Sequence, residues 1–267
     1  MACLLAASMI CSYLMSMDIR ALLFDINGTL IDIETDEGLE EIYRAIGHFL
    51  TYQGIELHRW EVRDLYFEIM QQQRKTSHEA YPEWDAVEVW HEIIKRKATD
   101  YTRSLPAEKL AQLPRFLAEL HRGIARKRIR LFPGVKEVFD LLRPHYQFAA
   151  VSNAQSAYAP PELQAVGLLD YFQSVIISGD YGYCKPDVRL FQYALDALQV
   201  QPEQALFIGN DLYPDVFGPG QLGIKTIFFS SGSQNTNRGV QPDYIIYNFA
   251  ELPTAVDYFA RHKRLRE

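Results

Sequence analysis

Short apolar runs that each close on a polar residue or glycine constrain this chain more than any other feature. Ala21–Phe24 ends at Asp25, Phe148–Val151 at Ser152, Val175–Ile177 at Ser178, Leu206–Ile208 at Gly209 and Thr226–Phe229 at Ser230. Tyr244–Ile246 is a weaker run of the same kind. Continuous apolar stretches of this length suit strands buried on both faces. Between them, Val135, Val138, Phe139, Leu141 and Leu142, and again Leu190, Phe191, Ala194, Leu195 and Leu198, keep the three-to-four spacing of amphipathic helices. Strand alternating with helix predicts an α/β fold built on a doubly wound parallel sheet. Right-handed crossovers then align the C-terminal ends of the strands along one edge, where ligands bind in such sheets.

One stretch breaks the alternation. From about Thr35 to Arg130 there is no strand-like run. Leu39–Phe49, Val62–Met70, Val87–Ile94 and Leu110–Leu120 read as helices, and Phe132-Pro133-Gly134 re-enters the sheet. The expected organisation is an α/β core over 18–34 and 131–267, with an all-helical insertion over 35–130. The insertion leaves the core beside the strand-end edge, so it reads as a cap over that edge. A length of 267 residues suits one α/β domain carrying such an insertion.

The bulk chemistry excludes several classes. Apolar residues make up 48% and charged residues 23%, and the formal net charge is −7. An acidic surface argues against general nucleic-acid binding, which needs clustered positive charge. Three cysteines, Cys3, Cys11 and Cys184, form no metal-ligand spacing and read as reduced, intracellular usage. The first 17 residues are apolar, but no Lys or Arg precedes Arg20 and serines break the run. This fits neither a signal peptide nor a membrane span, and it reads as a disordered or loosely docked extension with Met17 as an alternative start. A cytoplasmic protein, monomer or homodimer, without nucleic-acid or membrane partners, is expected.

The chemistry-bearing residues sit at the strand ends. Phe24-Asp25-Ile26-Asn27-Gly28-Thr29-Leu30 places a carboxylate directly after the first buried run, a glycine for a tight turn and a hydroxyl for an anion. Taken alone, this segment serves equally well as an ordinary turn. Three further strand ends change that balance. Ser152-Asn153 supplies a hydroxyl and an amide, Lys185-Pro186-Asp187 a lysine, and Gly209-Asn210-Asp211 with Asp215 an acidic cluster. All four converge, in chain order, on one edge of the predicted sheet.

On these residues the sequence resembles the haloacid dehalogenase-like superfamily, in its phosphatase branch with a helical cap after the first motif. The resemblance runs from Ile19 to about Phe249 and includes Gly167-Leu168, Tyr171-Phe172 and Leu222-Gly223-Ile224-Lys225-Thr226. It implies a Rossmann-like core and a phosphomonoesterase acting on a small phosphorylated metabolite. Asp25 matches the family's nucleophile, Thr29 and Ser152 its phosphate-binding hydroxyls, Lys185 its charge-balancing lysine and Asp215 a metal-binding acid. Asp25 would attack phosphorus and form an aspartyl-phosphate that water then hydrolyses. The implied cofactor is Mg2+, held through Asp25, Asn27 by its backbone carbonyl, Asn210, Asp211 or Asp215, and the substrate.

Two positions depart from the family pattern. Asn27 stands where the phosphatases carry a second aspartate that protonates the leaving group, and Asn210 stands at the first acidic place of the fourth motif. An amide can ligate magnesium through oxygen but brings no charge, and Asp211 is a candidate to restore a carboxylate. Asn27 also leaves open a dehalogenase, in which Asp25 attacks carbon without metal, and a degenerate relative that binds a phosphorylated ligand or a partner without turnover. Elsewhere, the run Arg126-Lys127-Arg128-Arg130 reads as a solvated helix end, and Arg261–Arg266 as cations at a helix C-terminus. Arg74, Lys75 and His78 are candidate substrate contacts from the insertion.

Overall fold

A computed structural model describes residues 18–230 and 239–260. The N-terminal apolar stretch with Cys3 and Cys11, and the C-terminal basic cluster, lie outside the described residues.

Strands form where the apolar runs predict them. β1 (Ala21–Phe24), β4 (Gln147–Ser152), β5 (Ser174–Ile177), β6 (Ala205–Gly209), β7 (Lys225–Phe229) and β8 (Tyr244–Ile246) make one sheet in the order β5-β4-β1-β6-β7-β8. Every pairing is parallel. The first strand therefore lies in the interior, between β4 and β6. All four of its residues are inaccessible to solvent, which explains its unbroken apolar sequence. Helices α5 (Val135–Leu142), α6 (Ala159–Ala165), α7 (Val188–Leu198) and α8 (Leu252–Ala260) connect or flank the strands. One apolar cluster gathers Phe24, Phe139, Phe148 and Phe249 on one face of the sheet, and a second gathers Leu23, Phe191, Leu195 and Phe207 on the other.

Four longer helices occupy the insertion: α1 (Glu40–Tyr52), α2 (Arg59–Thr76), α3 (Ala86–Lys97) and α4 (Ala107–Ala125). They enclose their own apolar cluster around Trp90, Tyr43, Ile46, Tyr66 and Leu117. α3 reaches beyond its apolar stripe because capping and charge carry its ends. Asp85 accepts the backbone N–H groups of Val87 and Glu88 at the start of α3, and Lys95, Arg96 and Lys97 fill its last turn. Among the described residues no helix is long and apolar enough to cross a membrane.

The expectation of no strand between Thr35 and Arg130 is corrected at both ends. Ile31–Thr35 (β2) and Arg126–Leu131 (β3) form an antiparallel pair in register Ile31 to Leu131, Asp32 to Arg130 and Glu34 to Arg128. The basic run is thus a strand and not a helix end. Its charges face the acids of β2: Arg128 donates to Glu34 at 2.6 Å and to Asp32 at 2.8 Å, and Arg130 donates to Asp32 at 2.8 Å. Opposite charges directly across a ladder select this pairing. The two guanidiniums hold the Asp32 carboxyl below its usual range.

Candidate active site

The strand ends of β1, β4 and β6 bring the site together because these three strands are neighbours. Asp25 follows β1 immediately, and its backbone N–H donates to the Ile208 carbonyl of β6 at 2.9 Å. The residue is buried, 6% exposed. Ser152, the last residue of β4, donates its hydroxyl to Asp25 Oδ1 at 3.1 Å. Lys185 Nζ donates to the same oxygen at 2.8 Å and to Asp215 Oδ1 at 2.6 Å. Thr29 Oγ1 lies 3.1 Å from Asp25 Oδ2 and 3.0 Å from Asn210 Oδ1. Lys185 and Asp215 are almost wholly enclosed, so these are charge pairs in a low-dielectric setting, stronger than their surface counterparts. Burial alone would lower the Lys185 ammonium, but the two carboxylates outweigh it and hold it above its ordinary value. Burial pushes the Asp215 carboxyl up to about 6 against the pull of Lys185.

Asn153 supports this arrangement from the backbone side. Its Oδ1 accepts the Lys185 N–H at 2.7 Å, and its Nδ2 donates to the Lys185 carbonyl at 3.3 Å. It fixes the chain carrying the lysine, a positioning role that its place after Ser152 does not reveal.

The fourth strand end divides its acids between two jobs. Asp215 Oδ2 accepts the backbone N–H groups of Asn210 and Asp211, at 3.1 Å and 3.0 Å, so this carboxylate shapes the turn after β6 as well as holding Lys185. Asp211 is exposed, and its Oδ1 accepts the Tyr213 N–H at 3.1 Å. It caps the next turn and does not join the other carboxylates. Of the residues singled out in the sequence, the structure gathers Asp25, Thr29, Ser152, Lys185, Asn210 and Asp215, with Asn153 behind the lysine and Asn27 at the mouth.

The donor set fits a hard cation. Asp25 Oδ2 and Asn210 Oδ1 lie on either side of one hydroxyl, and Asn27 Oδ1 is buried with no hydrogen-bond partner among the described residues. These are oxygens only, with one carboxylate, which matches the habit of Mg2+ to use one or two carboxylates, waters and substrate phosphate. Among the described residues no three His, Cys, Asp or Glu side chains gather as a ready-made metal cage.

Of the insertion's three candidates, Arg74 lines a cavity beside Asn27 and Asn153, whereas Lys75 and His78 do not. Arg122 and Glu162 also line it. They lie 40 residues apart and meet in the fold at 2.7 Å, a pairing that leaves no local sequence signal.

Comparison with known proteins points one way. The profile of the haloacid dehalogenase-like hydrolases matches residues 19–235. A glyceraldehyde 3-phosphate phosphatase of Pyrococcus furiosus is 29% identical over 50% of this chain and 56% of its own length. The chain thus spans about half the length of that relative. A phosphoglycolate phosphatase of Nitrosococcus oceani is 32% identical over 60% of this chain and 72% of its own length. Among solved structures, a 2-haloacid dehalogenase from Pseudomonas syringae superposes with a TM-score of 0.65 at 19% identity, covering 91% of this chain and 100% of that one. That likeness concerns the fold.

Proposed function

We propose, from the premise that the chain belongs to the haloacid dehalogenase-like hydrolase family, that it is a phosphomonoesterase with Asp25 as its nucleophile and a small phosphorylated metabolite as its substrate. The observation that carries this reading is the Asp25 carboxylate itself. It sits at a strand end with one oxygen held by Lys185 and Ser152 and the other beside Thr29. A pair of hydroxyls and an ammonium around an attacking oxygen are also donors for the equatorial oxygens of a phosphoryl group. Phosphatase relatives are consistent with it.

The covalent steps use Asp25 and water, and solvent supplies the leaving-group proton. Asp25 attacks phosphorus in line, a carboxylate-oxygen-to-phosphorus bond forms, the bond from phosphorus to the ester oxygen breaks, and that oxygen takes its proton from solvent water because Asn27 has none to give. Water then attacks phosphorus, the acyl phosphate opens, and the carboxylate and inorganic phosphate are released. Lys185 offsets charge on Asp25 throughout. A magnesium ion held by Asp25, the Asn27 carbonyl and Asn210 would neutralise charge on the transferring group. Residues 35–130 serve as a cap that excludes water from the site and selects the alcohol.

Replacing Asp25 by Asn tests the assignment. The amide keeps the shape and loses the nucleophile, so turnover of phosphate esters should fall by roughly 10⁴-fold or more while the circular dichroism spectrum is kept. Wild-type turnover in that variant would remove Asp25 from the mechanism. A second reading draws on Asn27, which is no acid: Asp25 displaces halide from carbon. Turnover of 2-haloacids without magnesium, and none of phosphate esters, would favour it.

A further inference from the structure

A cavity of about 370 Å³ opens between the helical insertion and the sheet edge, with Asn27, Asn153 and Cys184 on its core side. The opposite side carries an apolar face set among charged residues. Tyr66, Phe67 and Met70 line it from α2, Trp84 from the loop before α3, and Tyr158 from the residue preceding α6. Positions 66, 67, 70 and 74 share one face of a helix by their three-to-four spacing, so α2 presents this wall as a unit. The Tyr66 ring meets Phe67 edge-on at 5.4 Å and Trp84 edge-on at 5.9 Å, which makes the aromatic surface continuous.

The charges around the cavity are already spoken for. Arg122 donates to Glu162 at 2.7 Å, lies 3.6 Å from Glu37 and stacks on the Tyr158 ring at 5.1 Å. Arg74 lies 3.7 Å from Glu83, whose side chain is 8% exposed. Three acids, Glu37, Glu83 and Glu162, stand against two guanidiniums, a formal balance of −1. A carboxylate entering on a substrate would find both of the lining cations already matched by carboxylates, and no lining cation left over among the described residues, since Glu37 is bonded to the buried His121 ring as well.

Size points the same way. A cavity of roughly 150 Å³ is enough to hold benzene, so this one has room for a ring and its linkage to phosphorus, while a two- or three-carbon alcohol would leave most of the apolar wall unfilled. Taking the phosphatase reading as its premise, we propose that the cavity selects phosphate monoesters whose departing alcohol carries an uncharged aromatic ring, and rejects those whose alcohol carries a carboxylate.

The test compares kcat/KM for benzyl phosphate, ethyl phosphate, phosphoglycolate and phosphoserine on the full chain with magnesium. All four release alkyl alcohols, so differences in leaving-group quality are small beside differences in recognition. Benzyl phosphate should lead each of the others by on the order of 10–100-fold. Met70→Lys places an unmatched cation on the cavity wall and should lower benzyl phosphate turnover while raising that of phosphoglycolate. Calorimetric binding of benzylphosphonate against phosphonoacetate gives the same comparison without chemistry, and benzylphosphonate should bind more tightly. If phosphoglycolate or phosphoserine matches benzyl phosphate in the wild-type chain, or phosphonoacetate matches benzylphosphonate, the selectivity is refuted and the phosphatase reading stands. If no phosphate ester is turned over and acetyl phosphate leaves no phosphoryl group on Asp25, the phosphatase reading falls and the selectivity with it.

Discussion

The side chain of Asn210 lies so close over Gly28 that a Cβ on Gly28 would sit 2.5 Å from its Nδ2. The turn after β1 and the turn after β6 therefore lock together through an atom that is absent. Gly28 also has φ of +82°, a region that L side chains enter only at a cost. Gly28→Ala should cost about 1–3 kcal/mol in stability from the backbone alone. It should also displace Asn210 from Thr29, so activity at fixed magnesium should fall further than the loss of folded protein explains. Denaturant titration alongside kcat and the magnesium midpoint checks both parts; a stability loss with unchanged magnesium demand would detach Asn210 from the cation.

Asp215 and Asp211 make a contrasting pair. Asp215 is 2% exposed and spends both oxygens on Lys185 and the turn that carries Asn210, while Asp211 points to solvent and caps Tyr213. Asp215→Ala should raise the magnesium concentration needed for half-maximal rate far more than Asp211→Ala, and should destabilise the fold by about 1–3 kcal/mol because two backbone N–H groups lose a buried acceptor while Lys185 keeps Asp25. Metal titrations and melting curves of the two variants decide it. Equal effects on the metal would make Asp211 a ligand in its own right.

Asn27 lines the cavity mouth with no proton to give near neutral pH. General acid catalysis is typically worth roughly 10²–10⁴-fold, so aryl and acyl phosphates, which leave without protonation, should outrun alkyl phosphates by a margin in that range. Asn27→Asp should narrow that margin, and a burst of phosphoenzyme seen in the parent should shrink as water activation improves. Stopped-flow and steady-state rates on phenyl and ethyl phosphate measure both; parity of the two esters in the parent, unaltered by the substitution, would show that another group supplies the proton.

Cys184 sits half-buried on the cavity wall, and burial, reinforced by nearby Glu83, pushes its thiol above the ordinary value. The thiolate is the reactive form, so a raised pKa means less of it at any given pH. Alkylation of the Cys184 peptide by iodoacetamide, followed by mass spectrometry, should be slow at pH 8 and should climb only above the range in which a free thiol titrates. Bound benzylphosphonate should slow it further. An inflection at or below the free-thiol range would contradict the burial argument.

The sequence was most readable where one physical demand acted alone. β1, β4 and β6 are enclosed on both faces, so their strings of apolar residues announce both the strand and the place where it stops, and Asp25, Ser152 and Asn210 follow at those stops. β2 and β3 escaped notice because their identity lies in pairing. Ile-Asp-Ile-Glu-Thr and Arg-Lys-Arg-Ile-Arg-Leu look like solvated polar segments until Arg128 is set against Asp32 and Glu34, 96 and 94 residues away in the chain. Asp211 shows the reverse failure: its neighbour in sequence is a site residue, yet a local bond to Tyr213 turns it outward. Motif spacing gives the list of participants, and only the fold says which of them face one another.

The β2–β3 pair has a consequence for how this molecule could be remade. Thr35 and Arg126, where the helical excursion departs and returns, are paired residues of one ribbon, with an irregularity beside Thr35. The excursion is thus a closed bag tied at its neck, and beyond the neck it meets the platform along a seam of polar contacts, among them Arg122 on Glu162, the Ala86 N–H on Gln155 and Ser178 on Glu83. Helices could be lengthened or exchanged above the knot without shifting a strand of the platform, provided the residues of that seam are kept. Slipping the ribbon by one residue would do the opposite, turning Asp32 and Arg128 to the wrong side and swinging the bag, intact, away from the edge it overhangs.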